Sequence, residues 1–477
     1  MSTRRKFTMT TFYPWRFMKY RFLGLAFAAL LASAADAQKA PKVRIDFVQE
    51  TLPNGLHVIY SVDRTTPVVA TEVMYNVGSK NEEPGRTGFA HLFEHVMFKG
   101  SKNVGDGAHF QLLEKAGALG GRDINGTTAW DRTNYFEQVP SNYLELALWL
   151  EADRMGTLLE TLNKDKLDNQ REVVKNERRQ SVDNQPYGTW LEKTGQYVFP
   201  SSHPYNHSII GSMEDLSAAS VDDVKKFFKT YYAPNNAVLV IAGDFDVAQA
   251  KSLVRKHFGW IPRGLPKPAL KNTTLPKLIG SEKREVVQDV NAPAPQVYVS
   301  YRMPSARSNQ AAAVSLLSAV LAGGRSSPFY NSLVRTRQIA VGVSGFNLDL
   351  LDGADAIVFT ATGKASTNPD SLERALITEL DNAASKIDQA TLNRMRALAR
   401  FSFVNGLQTT GGFGGRADAL AEAYTFFRNP NRVNTALDEL DAVTVAQLKA
   451  LVKERLVPSN RVTLVYVPAK KSATGTN

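Results

Sequence analysis

The sequence predicts an α+β fold of two homologous domains, each a mixed β-sheet flanked by helices, joined by a linker. Three observations support this prediction. At 477 residues the chain exceeds the usual size of one domain. A stretch of four prolines and two lysines, residues 262–276, has the composition of a linker. Segments on its two sides resemble each other, which suggests that one α/β unit was duplicated.

The similar segments lie at corresponding places in the two halves. Gln296–Ser305 resembles Thr71–Ser79, and Val443–Val467 resembles Ser220–Ile241. The predicted boundaries are residues 42–265 for the N-terminal domain, 266–283 for the linker and 284–477 for the C-terminal domain. The second domain contains no histidine, so it cannot repeat a histidine-based metal site of the first. We expect it to be metal-free and to serve structure or substrate binding.

Composition narrows the possible functions. A hydrophobic content of 43% and a charged content of 22% are typical of a soluble globular protein. The chain has no cysteine, so any metal must be held by His, Asp or Glu. The net charge is +11, but no basic run is interleaved with aromatic residues, and nucleic-acid binding gains little support.

The first 37 residues have the pattern of a secretory signal peptide. Phe22–Ala35 is apolar, follows basic residues and ends near Ala37, after which we predict cleavage. The run is shorter than the roughly 20 residues that span a bilayer, so we expect no stable membrane anchor. Met18 stands where such a signal normally begins and is an alternative start. The mature protein is therefore expected to be periplasmic or secreted.

The elements that follow can be read in order. Phe47–Val62 predicts two strands around the turn Pro53-Asn54-Gly55. Val68–Val77, rich in β-branched residues, predicts another strand. Pro84-Gly85 interrupts the chain, and Thr87 is a candidate N-cap for the next helix.

That helix, His91–Phe98, contains the pattern His-x-x-Glu-His. At about 100° per residue, His91, Glu94 and His95 share one narrow stripe, while the rest of the segment is apolar. Buried imidazole and carboxylate groups are costly unless they have partners. The pattern is the inverted form of a zinc-protease helix, in which both histidines bind the metal. Two inert, hydrogen-bonded core histidines remain the alternative from this motif alone.

A catalytic zinc ion usually has three protein ligands, so a third is needed. Asn169–Arg179 predicts a helix on which Gln170, Val174 and Glu177 share a stripe. Glu177 therefore lies on the same face as an apolar residue, whereas Glu172 points elsewhere. From the spacing alone, a solvated charged helix remains the alternative.

The remaining histidines are weaker candidates. His203 and His207 are four apart, but a proline between them disfavours a helix and no carboxylate accompanies them, so a loop is expected. His57, His109 and His257 have no ligand-like partner in the sequence pattern. We expect these five histidines to make ordinary structural contacts.

Six stretches have a recognisable pattern when taken together. In chain order they are Leu52–Val58, Val77–Glu82, Gly88–Gly100, His203–Tyr205, Phe228–Tyr232 and Ala242–Asp246. These stretches together resemble the pitrilysin and mitochondrial-processing-peptidase family of zinc metallopeptidases. The resemblance covers nearly the whole mature chain. It implies a bacterial exported member with a fold like half of a processing-peptidase clamshell.

The resemblance also implies the site. His91, His95 and Glu177 would bind one Zn²⁺ per chain, and Glu94 would be the general base that activates a zinc-bound water. The implied activity is that of a metalloendopeptidase acting on peptides or unfolded segments. Gln170 stands where many members have a supporting Glu, and its amide could still hold the ligands by hydrogen bonds.

Substrate contacts are implied less completely. Asn125 begins a stretch that resembles the strand pairing with substrate backbone, although Asn125-Gly126 alone favours a hairpin turn. Arg335 matches a substrate-binding Arg, but the Tyr expected seven residues later is missing, since no tyrosine lies between Tyr330 and Tyr424. We therefore expect a dimer, either of identical chains or with a homologous metal-free subunit that supplies an Arg/Tyr pair. A non-catalytic peptide-binding or scaffold subunit is the alternative function; the presence of all four zinc-site residues argues against it.

Overall fold

The structure is a computed structural model that describes residues 43–469. The predicted signal peptide, residues 1–37, lies outside the described residues. Within them, no helix is both long and apolar enough to cross a membrane. The strands are β1 (Val48–Thr51), β2 (His57–Val62), β3 (Val68–Tyr75), β4 (Ile124–Thr128), β5 (Thr133–Pro140), β6 (Ala237–Gly243), β7 (Lys283–Asp289), β8 (Gln296–Met303), β9 (Gly342–Asn347), β10 (Asp355–Thr362) and β11 (Arg461–Pro468).

Helices account for most of the remaining regular structure. They are α1 (Phe89–Val96), α2 (Ala108–Lys115), α3 (Leu144–Thr161), α4 (Lys164–Arg178), α5 (Trp190–Val198), α6 (Met213–Ala218), α7 (Val221–Tyr231), α8 (Val247–Phe258), α9 (Ala311–Ala322), α10 (Pro328–Tyr330), α11 (Pro369–Asp381), α12 (Gln389–Leu407), α13 (Arg416–Phe427), α14 (Arg432–Ala442) and α15 (Val445–Arg455). Residues 262–282, which include most of the predicted linker, contain neither helix nor strand.

The first half of the chain builds a six-stranded sheet in the order β1-β2-β6-β3-β5-β4. β2 and β6 are parallel, and the other neighbours are antiparallel. The predicted hairpin is confirmed, with Val48 paired to Tyr60 and Thr51 to His57. β4 is an edge strand: among the described strands it pairs only with β5.

The second half repeats this plan in a five-stranded sheet ordered β7-β11-β8-β10-β9. β7 and β11 are parallel, and the other neighbours are antiparallel. The order and directions therefore match those of the first sheet without β1, and β7, β8, β9, β10 and β11 correspond to β2, β3, β4, β5 and β6 in turn. The helices before the last strands also match, since Ser220 caps α7 and Thr444 caps α15, each in a capping box. The predicted fold class of two homologous mixed sheets with helices is confirmed.

Each sheet is covered on one face by helices of its own half and on the other by a helix of the opposite half. On the first sheet, Val73 and Leu239 belong to the core shared with α1, α3, α7 and α8. Ala70 and Val240 point to the other face, where Leu420 of α13 packs. Conversely, α5 lies on the second sheet, and the rings of Trp190 and Tyr298 stack at 5.1 Å. This exchange of helices between the halves was not predicted from the sequence.

Candidate metal centre

The helix α1 is preceded by a glycine, Gly88, that is packed against the backbone of Ile210. Gly88 has φ +87°, and a Cβ there would lie 2.6 Å from a carbonyl oxygen, so a side chain would not fit. The carboxylate of Glu82 accepts hydrogen bonds from the N–H groups of Gly88 (2.8 Å) and Ala90 (2.7 Å). Thr87, the predicted cap, instead donates its hydroxyl to Asp215. N–H groups at the start of α1 are thus satisfied by a carboxylate six residues before the N-cap Gly88.

Packing fixes which side of α1 faces the site. Leu92, Phe93 and Val96 are buried, and the ring of Phe93 stacks on Tyr232 at 4.7 Å between centroids. α1 also packs against α4. Because the apolar side is anchored in the core, the two histidines of α1 are presented toward Glu177 on α4.

Three possible metal ligands converge there. His95 Nε2 lies 3.2 Å from Glu177 Oε2, and His91 Nε2 lies 3.6 Å from Glu177 Oε1. One ligand atom from each residue falls within 4.8 Å of the other two. A tetrahedral zinc ion with bonds of about 2.0–2.2 Å separates its ligands by about 3.3–3.6 Å. The donor set of two imidazoles and one carboxylate, at these separations, fits zinc.

The surroundings favour the forms of these groups that bind a metal. Burial, together with the neighbouring His95, lowers the pKa of His91 to about 4, although Glu177 acts in the opposite direction. The hydrogen bond from His95 holds the pKa of Glu177 below its ordinary value. Neutral imidazole and ionised carboxylate are the ligand forms, so both shifts favour the metal-binding forms of His91 and Glu177. The Glu177 side chain is 42% exposed, which leaves the centre open to solvent.

Glu94 lies next to this cluster and is held by a different element. Its Oε2 accepts a hydrogen bond of 2.7 Å from the hydroxyl of Thr128 at the end of β4. Burial raises the pKa of Glu94, while Thr128 and His95 act in the opposite direction. A carboxylate with a raised pKa beside a metal centre is suited to taking up a proton. Thr128 could not be assigned a role from the sequence, because no pattern shows where its hydroxyl points.

Asn125 lies within β4, so the hairpin-turn alternative for Asn125-Gly126 is wrong. Asn125 pairs with Phe136 of β5, and its side-chain oxygen accepts the N–H of Gly126 at 2.9 Å. A Cβ on Gly126 would lie 3.1 Å from Cγ of Glu94, so β4 passes directly beside the general-base candidate. The second edge of β4 faces no other described strand. Substrate binding by Asn125 stays a prediction.

Two other predicted site residues have no described contact with the cluster. Gln170 is buried on the same stripe of α4 as Val174, but its amide donates to Asn169 at 2.6 Å. Arg335 is exposed, and its guanidinium carbon lies 5.9 Å from the ring centroid of Tyr330. Within residues 43–469 no hydrogen bond joins either residue to the three candidate ligands, so their roles stay predictions.

A second group resembles a metal site but is satisfied by a cation of the chain. His109, Glu137 and Glu151 are buried and also converge within 4.8 Å. The guanidinium of Arg154 forms ion pairs with both glutamates, at 3.0 Å to Glu137. Because Arg154 already pairs with both carboxylates, we interpret the group as a buried ion cluster. His109 thus has partners that the sequence pattern did not reveal.

The other histidines make structural contacts, and the predicted loop around His203 and His207 is confirmed. The contacts are His57 stacked on Tyr424 at 3.8 Å, His203 Nδ1 accepting the N–H of Tyr205 at 3.1 Å, His207 beside the Ser208 carbonyl at 3.2 Å and His257 beside Glu145 at 3.2 Å.

Comparison with known families agrees with the two-half architecture. The family described as "Insulinase (Peptidase family M16)" matches residues 57–194, and "Peptidase M16 inactive domain" matches residues 218–398. The chain belongs to peptidase family M16. The resemblance to pitrilysin and processing peptidases is therefore confirmed. The second match begins within the first half, at residue 218, and extends into the second half as far as residue 398.

Individual relatives cover most of the chain. "Zinc protease PqqE" of Helicobacter pylori is 30% identical over 398 residues, which are 82% of this chain and 86% of that protein. A probable mitochondrial-processing peptidase subunit beta of Arabidopsis thaliana is 24% identical over 91% of this chain and 80% of its own. The crystal structure of a protease from Helicobacter pylori has a TM-score of 0.80 at 27% identity, over 89% of this chain and 100% of that one. Pitrilysin shares the fold, with a TM-score of 0.72 at 19% identity, over 90% of this chain and 46% of that one.

Proposed function

We propose that this M16 protein is a zinc-dependent metalloendopeptidase that hydrolyses peptides or unfolded segments. The observation that carries the proposal is the convergence of His91, His95 and Glu177, with Glu94 beside them and next to an edge strand. Relatives named zinc proteases over most of their length support it.

The residues divide the chemistry between them. His91, His95 and Glu177 hold Zn²⁺, which when bound polarises a carbonyl group and lowers the pKa of water. The carboxylate of Glu94 takes the proton of the attacking water. It then passes that proton to the nitrogen of the leaving amine as the C–N bond breaks, giving a carboxylic acid and an amine. The raised pKa of Glu94 suits a group that must both accept and return a proton.

Substrate would bind as an added strand on β4. Beyond Ile124, whose carbonyl already accepts the N–H of Gly121 at 2.9 Å, the open edge of β4 offers backbone groups to an extended peptide, with Asn125 near the start of that edge. Such pairing recognises main-chain groups and leaves sequence preference to side-chain pockets. Because the added strand must be extended, this mode of binding suits peptides and unfolded segments better than folded proteins. Arg335 is the proposed substrate contact from the second half.

The proposal is tested by two substitutions with a matched control. Glu94→Gln should keep zinc but lower peptide hydrolysis by at least the ~10²–10⁴-fold that general-base catalysis contributes. Glu177→Ala should lose zinc. Glu172→Ala, on the exposed side of the same helix, should keep both zinc and activity. Hydrolysis of an unstructured peptide and elemental zinc analysis are the measurements.

The outcomes separate the parts of the proposal. Wild-type rates from Glu94→Gln would refute the general-base role, and full zinc occupancy in Glu177→Ala would refute the ligand assignment. A zinc-loaded wild-type chain that binds peptides without cleaving them, alone and with a homologous subunit, would favour the scaffold alternative.

We also propose a partner and a location. The residue seven positions after Arg335 is Gly342, so the chain lacks a tyrosine there, and a homologous metal-free subunit would supply the Arg/Tyr pair. Size-exclusion chromatography and peptidase assays of the chain, with and without such a subunit, test this; full activity from a homodimer would contradict it.

The proposed location is the periplasm, and N-terminal sequencing of the exported protein should find Gln38 as the first residue.

A further inference from the structure

We propose that Thr128 is a positioning residue that aims the carboxylate of Glu94 and ties its orientation to the edge strand β4. This inference rests on the proposed peptidase function. It concerns a side chain that binds neither the metal nor the reacting atoms, and that acts through Glu94.

The hydroxyl of Thr128 has one proton and two acceptors within reach. Glu94 Oε2 lies at 2.7 Å, and the carbonyl oxygen of Ala90, also on α1, lies at 3.4 Å. A threonine donates one hydrogen bond, and a bond to a carboxylate is shorter and stronger than one to a neutral carbonyl. The proton is therefore directed to Glu94. Oε1 of Glu94 makes no hydrogen bond to any described residue, so it is the oxygen available for proton transfer.

β4 also passes close to the stem of the same side chain. Gly126 is two residues before Thr128 and so faces the same side of the strand. A Cβ at Gly126 would lie only 3.1 Å from Cγ of Glu94, so a glycine leaves room there for the Glu94 stem. Strand β4 thus runs beside the stem of Glu94 and holds its carboxylate through the hydroxyl of Thr128.

The strand that supplies these contacts is itself fixed from its other face. The hydroxyl of Thr127 donates to Asn134 of β5 at 2.5 Å and accepts from Arg132. Arg132 in turn lies 3.5 Å from Glu422 of α13. A donor held by fixed neighbours can orient a catalytic group without reorganising during the reaction. A peptide that adds to the free edge of β4 would therefore bind to the strand that aims the base.

Two substitutions at Thr128 and one at a matched position test the proposal. Thr128→Val removes the hydroxyl but keeps the β-branched shape, and Thr128→Ser keeps a hydroxyl. Thr133→Val is the control, because Thr133 pairs directly with Thr128 across the hairpin and its buried hydroxyl donates to the Val77 carbonyl at 3.0 Å. Steady-state kinetics on an unstructured peptide, zinc analysis and crystal structures of the variants are the measurements.

The expected result is a loss confined to turnover in one variant. Since misplacing a catalytic group by about 1 Å can cost ~10²-fold, Thr128→Val should lower kcat by about 10–100-fold with KM changed less than about 3-fold. Its zinc content should be unchanged, and its crystal structure should show Glu94 rotated or in several conformations. Thr128→Ser and Thr133→Val should keep kcat within about 3-fold of wild type, since each retains the donor to Glu94.

Three results would overturn the inference: wild-type kcat in Thr128→Val, an equal loss in Thr128→Ser, or an unchanged Glu94 carboxylate in the Thr128→Val structure. If the wild-type chain hydrolyses no peptide, the proposed function fails. The orientation of Glu94 in the two structures then still decides whether Thr128 positions it.

Discussion

Asp355, at the first position of β10, shows how strongly burial can change a single residue. Its side chain is almost fully enclosed, with the residue 1% exposed. One oxygen accepts the N–H groups of Leu350 (3.0 Å) and Ala356 (2.7 Å). Burial, together with the nearby Asp349, raises the pKa of Asp355 to about 7 despite these hydrogen bonds. The folded protein therefore binds a proton here that the unfolded chain releases near pH 4.

This difference predicts how stability depends on pH. Because the folded pKa lies above the unfolded one, the contribution of Asp355 is complete below about pH 4. It declines as the pH rises and is lost once the pH passes about 7. Asp355→Asn keeps an acceptor for both N–H groups and cannot titrate, so its unfolding free energy should fall less than that of wild type between pH 5 and pH 8. Urea unfolding across that range is the measurement.

The matched control for this prediction is Asp370→Asn on α11, where the carboxyl is exposed. That variant should show the wild-type pH dependence. An Asp355→Asn protein whose unfolding free energy changes with pH as steeply as wild type would contradict the assignment.

The candidate metal centre shows which residues a sequence can and cannot reveal. His91, Glu94 and His95 could be grouped because helical spacing brings near neighbours in sequence onto one stripe. The helix face on which Glu177 lies could be predicted for the same reason. The contact of that face with α1 could not be predicted. Glu82, which caps α1 from a non-helical segment, follows no such period. Contacts made by loops depend on the folded path of the chain, and their residues carry no repeating signal.

Among the elements, β4 is the one for which the local signal and the structure disagree. An Asn-Gly pair is a strong turn signal, because both residues tolerate positive φ. Here the pair lies in a strand, with Asn125 opposite Phe136 and Gly126 opposite Tyr135. The glycine is needed for a different reason, the close approach to Glu94. Pairing with β5 and packing on α1 outweigh the local preference, and a sequence pattern shows neither.

For the helices α5 and α13, the sequence predicts a buried face but not which sheet that face covers. Leu420 and Ala421 of α13 are buried, which an apolar stripe can predict. The stripe does not say that it covers the sheet of the other half. Trp190 on α5 makes the reciprocal contact. Because both sheets present similar apolar faces, composition cannot distinguish packing within a half from exchange between halves.

At the scale of the whole molecule, a buried ion network joins the two halves near the end of β4. Lys80 is 4% exposed, and its ammonium donates to Asp131 of the first half and Asp352 of the second, both at 2.6 Å. Tyr205 also donates to Asp131 at 2.6 Å, and Arg307 pairs with Asp352 at 2.8 Å. Because the buried Lys80 pairs with one carboxylate from each half, its charge is fully paired only when the two halves are docked.

Removing that lysine should therefore destabilise the whole chain. Lys80→Met keeps the length of the side chain but leaves Asp131 buried without a cation, and breaking a buried ion pair in this way costs about 3–5 kcal/mol. Lys102→Met is the control, since its pair with Glu160 has side chains 59% and 53% exposed. Exposed pairs contribute about 0–1 kcal/mol, so that variant should unfold like wild type. Urea unfolding at neutral pH measures both. A Lys80→Met protein within about 1 kcal/mol of wild type would mean that Tyr205 and Arg307 satisfy the carboxylates alone, and that docking of the halves depends on the exchanged helices instead.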